Sequence, residues 1–295
     1  MVRPKNRRAE YSLAAILLVP NLALLFWFTY RPLVESLRLS LYRWDLISPS
    51  KLWVGLENYT EWWRDPVGRK TVVNTVIFSV VTVAGSAIGG LLFAFAFLKP
   101  RRGSVAARSA LFSPYLIPGS AVGIVWYFIF DPRFGLLAAG LRQIGVRSPN
   151  WYNHPGWAMV MVCFVYIWKQ LGYVCVLFMA GLQAIPPELF EAASLDGAGW
   201  WSRLRNIALP SLRSTSSFVL ATTFIASMQA FDVISVMTQG GPLDGTRTMS
   251  FQIFDEAFVR FRVGRASAIA AVLFFMLLVV TLVQVRILDR KDDRS

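Results

Sequence analysis

Apolar residues in this chain come in long stretches separated by shorter polar segments, and six of the stretches are long enough to cross a bilayer. They cover about 11–31, 72–98, 107–130, 157–181, 214–238 and 267–288. A hydrocarbon layer about 30 Å thick takes roughly 20 mostly apolar residues per spanning helix. Inside that layer every backbone N–H and C=O needs a partner from the protein, which a helix supplies within itself. The pattern predicts an all-α integral membrane protein, one transmembrane domain over 1–295 with six transmembrane helices. Gly85, Gly89 and Gly90 in the second stretch predict a close approach by a neighbouring helix. Pro114 and Pro118 in the third free backbone carbonyls, so that helix should kink or face the bundle interior. Glu57 to Asp65 fits either a short interfacial helix or an ordinary loop.

Composition strengthens this reading. Hydrophobic residues make up 55% of the chain and charged residues 16%, against about 25% charged in a soluble domain. Mean hydropathy is +0.49. The net charge of +13 sits at the ends of the apolar runs rather than on one soluble face. It therefore points to anionic lipid headgroups and to orientation by basic loops, not to nucleic acid. The shorter set of connecting segments is the denser in basic residues: Arg3, Lys5, Arg7 and Arg8; Lys99, Arg101, Arg102 and Arg108; Arg203, Arg205 and Arg213; and Arg286, Arg290, Lys291 and Arg294. This predicts a multi-pass membrane protein with both termini in the cytoplasm. Trp44, Trp53, Trp62 and Trp63, with Trp151 and Trp157, then belong to an outer aromatic belt. Cys163 and Cys175 share one apolar run and lie about 18 Å apart along a helix, too far for a disulfide. With them and one histidine, His154, a metal site or a histidine-dependent catalytic pair is not expected.

One polar loop, about 182–213, departs from the simple pattern. Pro186 and Pro187 open a helix, where a missing backbone donor does no harm. Glu188 and Glu191 suit its first turns. Asp196, Gly197, Ala198 and Gly199 stop it. Trp200 and Trp201 open a second short helix that Pro210 limits. The product is a cytoplasmic helix–turn–helix knuckle carrying apolar and aromatic side chains, which predicts a partner that takes a helix in a groove.

Glu191, Ala192 and Ala193, then Gly197, Ile207, Leu209 and Pro210, at these spacings, resemble the EAA loop of ABC-importer permeases. Further matches run along the chain. They are Tyr30 to Leu33, Val54 to Tyr59, Asn74 with Thr75, Ile167 to Gln170, and Gln239 to Pro242, all similar to maltose-type carbohydrate permeases. The resemblance implies a type I ABC importer permease whose coupling residues are Glu191, Ala192, Ala193, Asp196, Gly197, Ile207, Leu209 and Pro210. It implies a cytoplasmic ABC ATPase dimer as partner, a second homologous permease subunit and an extracytoplasmic substrate-binding protein. ATP and magnesium would belong to the ATPase. The chain has no G-x-x-x-x-G-K-[ST] phosphate loop, so it is not itself expected to be an enzyme.

Charge inside a membrane is a functional hypothesis by default, and Lys169 lies near the middle of the fourth span. Its ammonium suits either an anionic or polyol substrate or the carbonyls at a helix kink. Gln170 and Tyr173 follow it; Gln229 and Asp232 in the fifth span can hydrogen-bond hydroxyls. These five form the expected substrate pathway, and Asn74 is expected to be a helix-packing amide. The run Ile167 to Tyr173, with Asn150 and Trp151, looks like the sn-glycerol-3-phosphate permease branch. That resemblance implies glycerol phosphate or a glycerophosphodiester as solute, with a neutral sugar or oligosaccharide as the alternative. An ion-coupled secondary transporter would more often show inverted repeats and buried acidic coupling residues. A membrane-embedded enzyme would need a clustered catalytic set. Neither pattern is evident.

Overall fold

The computed structural model describes residues 7–98 and 103–292. Arg3, Lys5, Lys99, Arg101, Arg102 and Arg294, which contribute to the orientation inferred from charge, lie outside the described residues. Helix α1 (Arg7–Leu25) passes through a π-helical turn at Phe26–Tyr30 into α2 (Arg31–Leu39). The wide turn comes just before Pro32, and its closing bond, Arg31 N–H to Phe26 C=O, skips the register that a proline cannot serve. The first membrane helix therefore continues to Leu39, beyond the Arg31 expected from hydropathy, and its apolar side chains from Ile16 to Tyr30 are exposed.

A hairpin of β1 (Tyr42–Arg43) and β2 (Leu52–Trp53) leads to α3 (Glu57–Arg64). The segment that fitted either a helix or a loop is thus a short helix, with Trp62 buried and Trp63 exposed. Helix α4 (Pro66–Ala96) begins with the Asp65 carboxylate accepting from Val67 N–H at 2.9 Å, a side-chain cap on orphan donors. The third apolar stretch is two helices, α5 (Ser104–Leu116) and α6 (Gly119–Ile129), bent by 104° at Ile117–Pro118. The anticipated kink is a full break. After α7 (Leu136–Gln143) come α8 (Pro155–Gln183), α9 (Pro187–Leu195), α10 (Trp200–Arg203) and the three-residue α11 (Leu209–Ser211). The fifth stretch is also interrupted, into α12 (Arg213–Met228) and α13 (Asp232–Met237). Helix α14 (Met249–Phe254) and a π-helical turn at Asp255–Val259 precede the last helix, α15 (Val263–Asp292). Among the described residues five helical segments are long and apolar enough to cross a membrane, six if the bent α5–α6 pair counts as one crossing.

Helices α4 and α8 form the spine of the bundle and run in the same direction. Gly85 faces Ile167, Gly89 faces Leu171 and Gly90 faces Val174, so the glycine seam does bring a neighbour close. The same face of α4 buries a row of small hydroxyls, among them Thr75, Ser79, Thr82 and Ser86. Around the spine lie three apolar clusters. One, near the loop 182–213, joins Phe95 on α4, Phe178 and Leu182 on α8, and Leu204, Ala208 and Leu212 beyond. A second joins Phe78, Val162 and Tyr166 to Val233 and Ile234. A third joins Trp62 to Met228, Met249 and Ile269. The end of the bundle carrying the loop 182–213 is called the knuckle face below, and the end carrying the hairpin and α3 the far face.

A larger residue at the spine should be resisted. A Cβ on Gly90 would lie 2.5 Å from Val174 Cγ1 and 3.0 Å from the Cys175 backbone nitrogen. Gly90→Leu is expected to destabilise the chain by about 1–3 kcal/mol through overpacking. The measurement is thermal unfolding of the purified protein, with Gly140→Leu, at an open position, as the control that should melt like the parent.

Candidate functional site

The knuckle is built by capping chemistry. Helix α9 ends at Leu195. Then Gly197 N–H donates to Ser194 C=O at 3.2 Å and Ala198 N–H to Ala193 C=O at 2.9 Å. Those two bonds are the Schellman pattern, which needs a left-handed residue at Gly197; its φ is +74°. Helix α10 follows at once, and its Arg203 guanidinium donates to Ser194 Oγ at 2.9 Å, tying the two arms together. Phe190 and Trp200 both reach Phe95, with ring centroids 6.2 and 5.2 Å away. Leu204 and Ala208 are buried and Ile207 packs against the same cluster.

Pro210 does not limit the second arm as expected. A π-helical turn at Leu204–Ala208 carries the helical path through Pro210 to Ser211. As at Pro32, the wide turn avoids the bond that proline cannot make. At the tip, Leu195 is 89% exposed and Trp201 62%. Glu191, Ala192 and Asp196 in the first arm, and Leu209 and Pro210 at the end of the second, are exposed, and Ala193 is half-buried. The knuckle is a stiff helical hairpin with an apolar base inside the bundle and an apolar tip outside it.

The residues expected along a pathway do not form one cluster. Three of them, Lys169, Tyr173 and Asp232, converge on the break between α5 and α6. Gly172 lets α8 meet the α5 backbone at Leu111 and Phe112. One turn away Lys169 Nζ donates to Tyr115 C=O at 3.3 Å and lies 5.4 Å from the Tyr115 ring centroid. That carbonyl would serve Gly119 N–H in a continuous helix, so the bend orphans it. Tyr173 stacks on the same Tyr115 ring, with centroids 4.7 Å apart and planes at 11°. Asp232 comes from the other side, its carboxylate packed against Gly119 at the start of α6. Among the described residues no ion pair links Lys169 to Asp232. Gln170 turns into the core, its amide donating to Tyr166 Oη at 3.2 Å with Oε1 unpartnered. Gln229 is exposed at the interruption of the fifth span. Of the two sequence readings of Lys169, the geometry matches the kink carbonyl. Tyr115 was missed; the available signal was the pair Pro114 and Pro118, which brackets it.

At the far face the loop after α13 is clamped onto α4. Asn74 Nδ2 donates to Asp244 C=O at 2.7 Å and to Arg247 C=O at 3.2 Å. Lys70 Nζ donates to Leu243 C=O at 2.6 Å, and Met249 N–H to Thr75 Oγ1 at 2.9 Å. Asn74 therefore fastens a loop rather than packing a helix pair. Arg247 bridges Asp244 and Asp255 at 2.5 and 2.7 Å. Arg265 reaches Asp65 at 2.5 Å and the fully buried Glu256 at 3.4 Å. Burial works against the Asp65 charge, but the Val67 N–H and the Arg265 guanidinium outweigh it and hold that carboxyl below the usual range. Burial likewise opposes the Arg247 charge, and Asp244 and Asp255 prevail in raising its pKa.

Comparison with known proteins agrees with this architecture. Residues 73–292 match the family described as binding-protein-dependent transport system inner membrane component. A probable ABC transporter permease protein, YurN of Bacillus subtilis, is 34% identical over 92% of this chain and 94% of its own. The sulfoquinovosyl glycerol transport system permease protein SmoG of Agrobacterium fabrum is 33% identical over 95% of this chain and 91% of its own. The sn-glycerol-3-phosphate transport system permease protein UgpA of Yersinia pseudotuberculosis is 33% identical, covering 94% of each chain. A solved chain of a bacterial ABC transporter involved in import of the acidic polysaccharide alginate superposes with a TM-score of 0.83. It is 21% identical, covering 97% of this chain and 98% of that one, and speaks for the fold. The chain belongs to the binding-protein-dependent transport system inner membrane component family, the membrane permeases of ABC importers.

Proposed function

We propose that this permease forms half of the transmembrane pathway of an importer for a glycerol-bearing anion, first among them sn-glycerol-3-phosphate or a glycerophosphodiester. Transport proceeds by alternating access. The knuckle and both termini face the cytoplasm, and the knuckle tip seats in a groove of a separate ABC ATPase dimer that binds ATP and magnesium. A second homologous permease completes the pathway, and an extracytoplasmic binding protein delivers the solute. In this reading Glu191, Ala192, Ala193, Asp196, Gly197, Ile207, Leu209 and Pro210 couple nucleotide binding to helix movement.

The observation that carries the coupling role is the exposed apolar tip on a knuckle whose base is buried among α4 and α8. An exposed apolar surface of that kind favours a protein partner. The choice of solute rests on two relatives of this chain, one named for sulfoquinovosyl glycerol and one for sn-glycerol-3-phosphate. Both names describe an anion that carries glycerol. A neutral sugar remains the second reading, favoured by the engagement of Lys169 with the Tyr115 carbonyl, which leaves the ammonium less available to an anion.

The two readings separate in ATPase measurements on the complex reconstituted with its partner permease, ATPase and binding protein. Stimulation by sn-glycerol-3-phosphate and glycerophosphocholine, but not by a neutral disaccharide, is expected; stimulation by the disaccharide alone makes the complex a sugar importer. Gly197→Val forces a β-branched residue into a left-handed turn, at about 1–2 kcal/mol. It should leave the protein inserted and ATP hydrolysis running while uptake into vesicles falls at least roughly tenfold, the effect of about 1.4 kcal/mol. Unimpaired uptake would remove Gly197 from the coupling turn. Lys169→Met leaves a carbonyl unpaired at about 1–3 kcal/mol. It should lower the melting temperature and reduce uptake of anionic and neutral test solutes alike; loss confined to the anion would make Lys169 a ligand.

A further inference from the structure

A cavity of about 610 Å³ opens at the far face between the β1–β2 hairpin, α3 and the start of α15. It is remote in sequence from every residue of the expected pathway, and no role for it follows from the transport cycle above. Three guanidinium groups line it, from Arg43, Arg262 and Arg265, against two carboxylates, from Asp45 and Glu61.

The bonding pattern shows which of these charges remain available. Arg43 holds Glu57 at 2.8 Å and Glu61 at 3.3 Å. Arg265 is taken by Asp65 and Glu256. Asp45 is spent on its own turn, accepting from Ile47 N–H, Ser48 N–H and Ser48 Oγ at 3.1, 2.8 and 2.9 Å. Arg262 has an exposed side chain and, among the described residues, no ion pair. Its backbone is nevertheless fixed: its N–H donates to Glu256 C=O at 2.6 Å, and Val263 N–H donates to Trp44 C=O at 3.0 Å. The preceding Phe261 is held at φ +55°, a conformation that persists only where the surroundings impose it. Arg262 is thus an anchored cation of the cavity with no carboxylate partner among the described residues.

Position and rim narrow the ligand. Helices α4 and α15 both begin beside the cavity, at Pro66 and Val263, so it lies at the boundary of the membrane. Trp44 lines it, and Trp53 on the same hairpin is exposed nearby; tryptophans favour the headgroup level. Leu52 and Phe261 add apolar surface to the rim. A planar guanidinium in such a setting suits the oxygens of a phosphate ester. We infer that this cavity binds a glycerol phosphate ester through Arg262, and that its ordinary occupant is the headgroup of an anionic phospholipid.

The test uses the assembled transporter in nanodiscs of phosphatidylcholine, titrated either with phosphatidylglycerol or with free sn-glycerol-3-phosphate. Retained ligands are counted by native mass spectrometry. Arg262→Gln should bind phosphatidylglycerol about tenfold more weakly than the parent, one charge-assisted contact's worth. Arg262→Lys should recover part of the loss. Arg64→Gln, an exposed cation outside the cavity, should bind like the parent. The side chain of Arg262 is exposed, so assembly and melting temperature should stay unchanged and any loss reports on binding. Arg262-dependent binding of free glycerol phosphate without lipid retention keeps the anion site and overturns its assignment to lipid. Equal retention of phosphatidylglycerol by the parent and Arg262→Gln, with no Arg262-dependent binding of the free ester, overturns the proposal. Equal retention of phosphatidylcholine and phosphatidylglycerol by the parent would overturn its selectivity for an anion.

Discussion

Hydrocarbon offers no hydrogen bonds, so wherever the chain leaves helical geometry at or near membrane depth, its backbone groups must be met by protein. This permease departs from continuous helix in several places and meets the requirement with a few long polar side chains. Lys169 serves the Tyr115 carbonyl at the α5–α6 break. Arg108 serves the Phe97 carbonyl at the end of α4, at 2.5 Å. Lys70 and Asn74 serve three carbonyls of the loop that follows α13. Lys169, and Lys70 with Asn74, reach from the long helices α8 and α4 to irregular segments, whereas Arg108 on α5 closes the end of α4. The straight helices α4 and α8 can therefore carry broken neighbours, and a broken span can change its angle without leaving a buried carbonyl bare.

The same spine explains how a movement at the knuckle could reach the pathway. Phe95 near the end of α4 touches both arms of the knuckle, through Phe190 and Trp200. Leu182 at the end of α8 and Leu204 in the second arm are buried in the same cluster. A close-packed interior transmits displacement rather than absorbing it. The Arg203 contact to Ser194 and the left-handed turn at Gly197 keep the two arms from flexing apart. Displacement of the tip would then shift α4 and α8 together. Tyr173 and Lys169 on α8 hold Tyr115 directly at the α5–α6 break, so the first element to feel that shift would be the bent span.

Much of this was legible in the sequence, for reasons that differ from feature to feature. Long apolar runs announce membrane helices because the bilayer sets their length, and the glycines at 85, 89 and 90 announced a seam because only small residues let backbones approach. The knuckle was legible because its turn needs Gly197 and its first helix opens on Pro187. Proline was the less faithful signal. Pro118 marks a real break, yet Pro32 and Pro210 lie in helical path, each preceded by a π-helical turn that spares the missing donor. Neither hydropathy nor a lone proline reveals such a turn, so the pattern ends the first span at Arg31 rather than Leu39 and the second knuckle arm at Pro210 rather than Ser211. The partners of Lys169 and Asn74 were hidden for another reason. Both depend on contacts between segments distant in the chain, Tyr115 with Lys169 and Asn74 with Asp244 and Arg247, and local pattern carries no record of which segments meet.

The engagement of Lys169 also bears on how the proposed pathway would admit a charged solute. An isolated ammonium at membrane depth would be costly and would hold an anion too firmly to release it. Shared with a carbonyl and an aromatic face, the same ammonium is partly satisfied before any solute arrives. A passing anion would meet a weaker field and a neutral polyol a smaller penalty. Asp232, which opens α13 and packs against Gly119 at the start of α6, acts in the opposite sense, placing negative charge on the other side of the break. In the proposed pathway, a break flanked by a partly satisfied cation and by a carboxylate would favour passage over retention. Tight recognition is then better placed outside the membrane, where a solute can be held without the need to let it through.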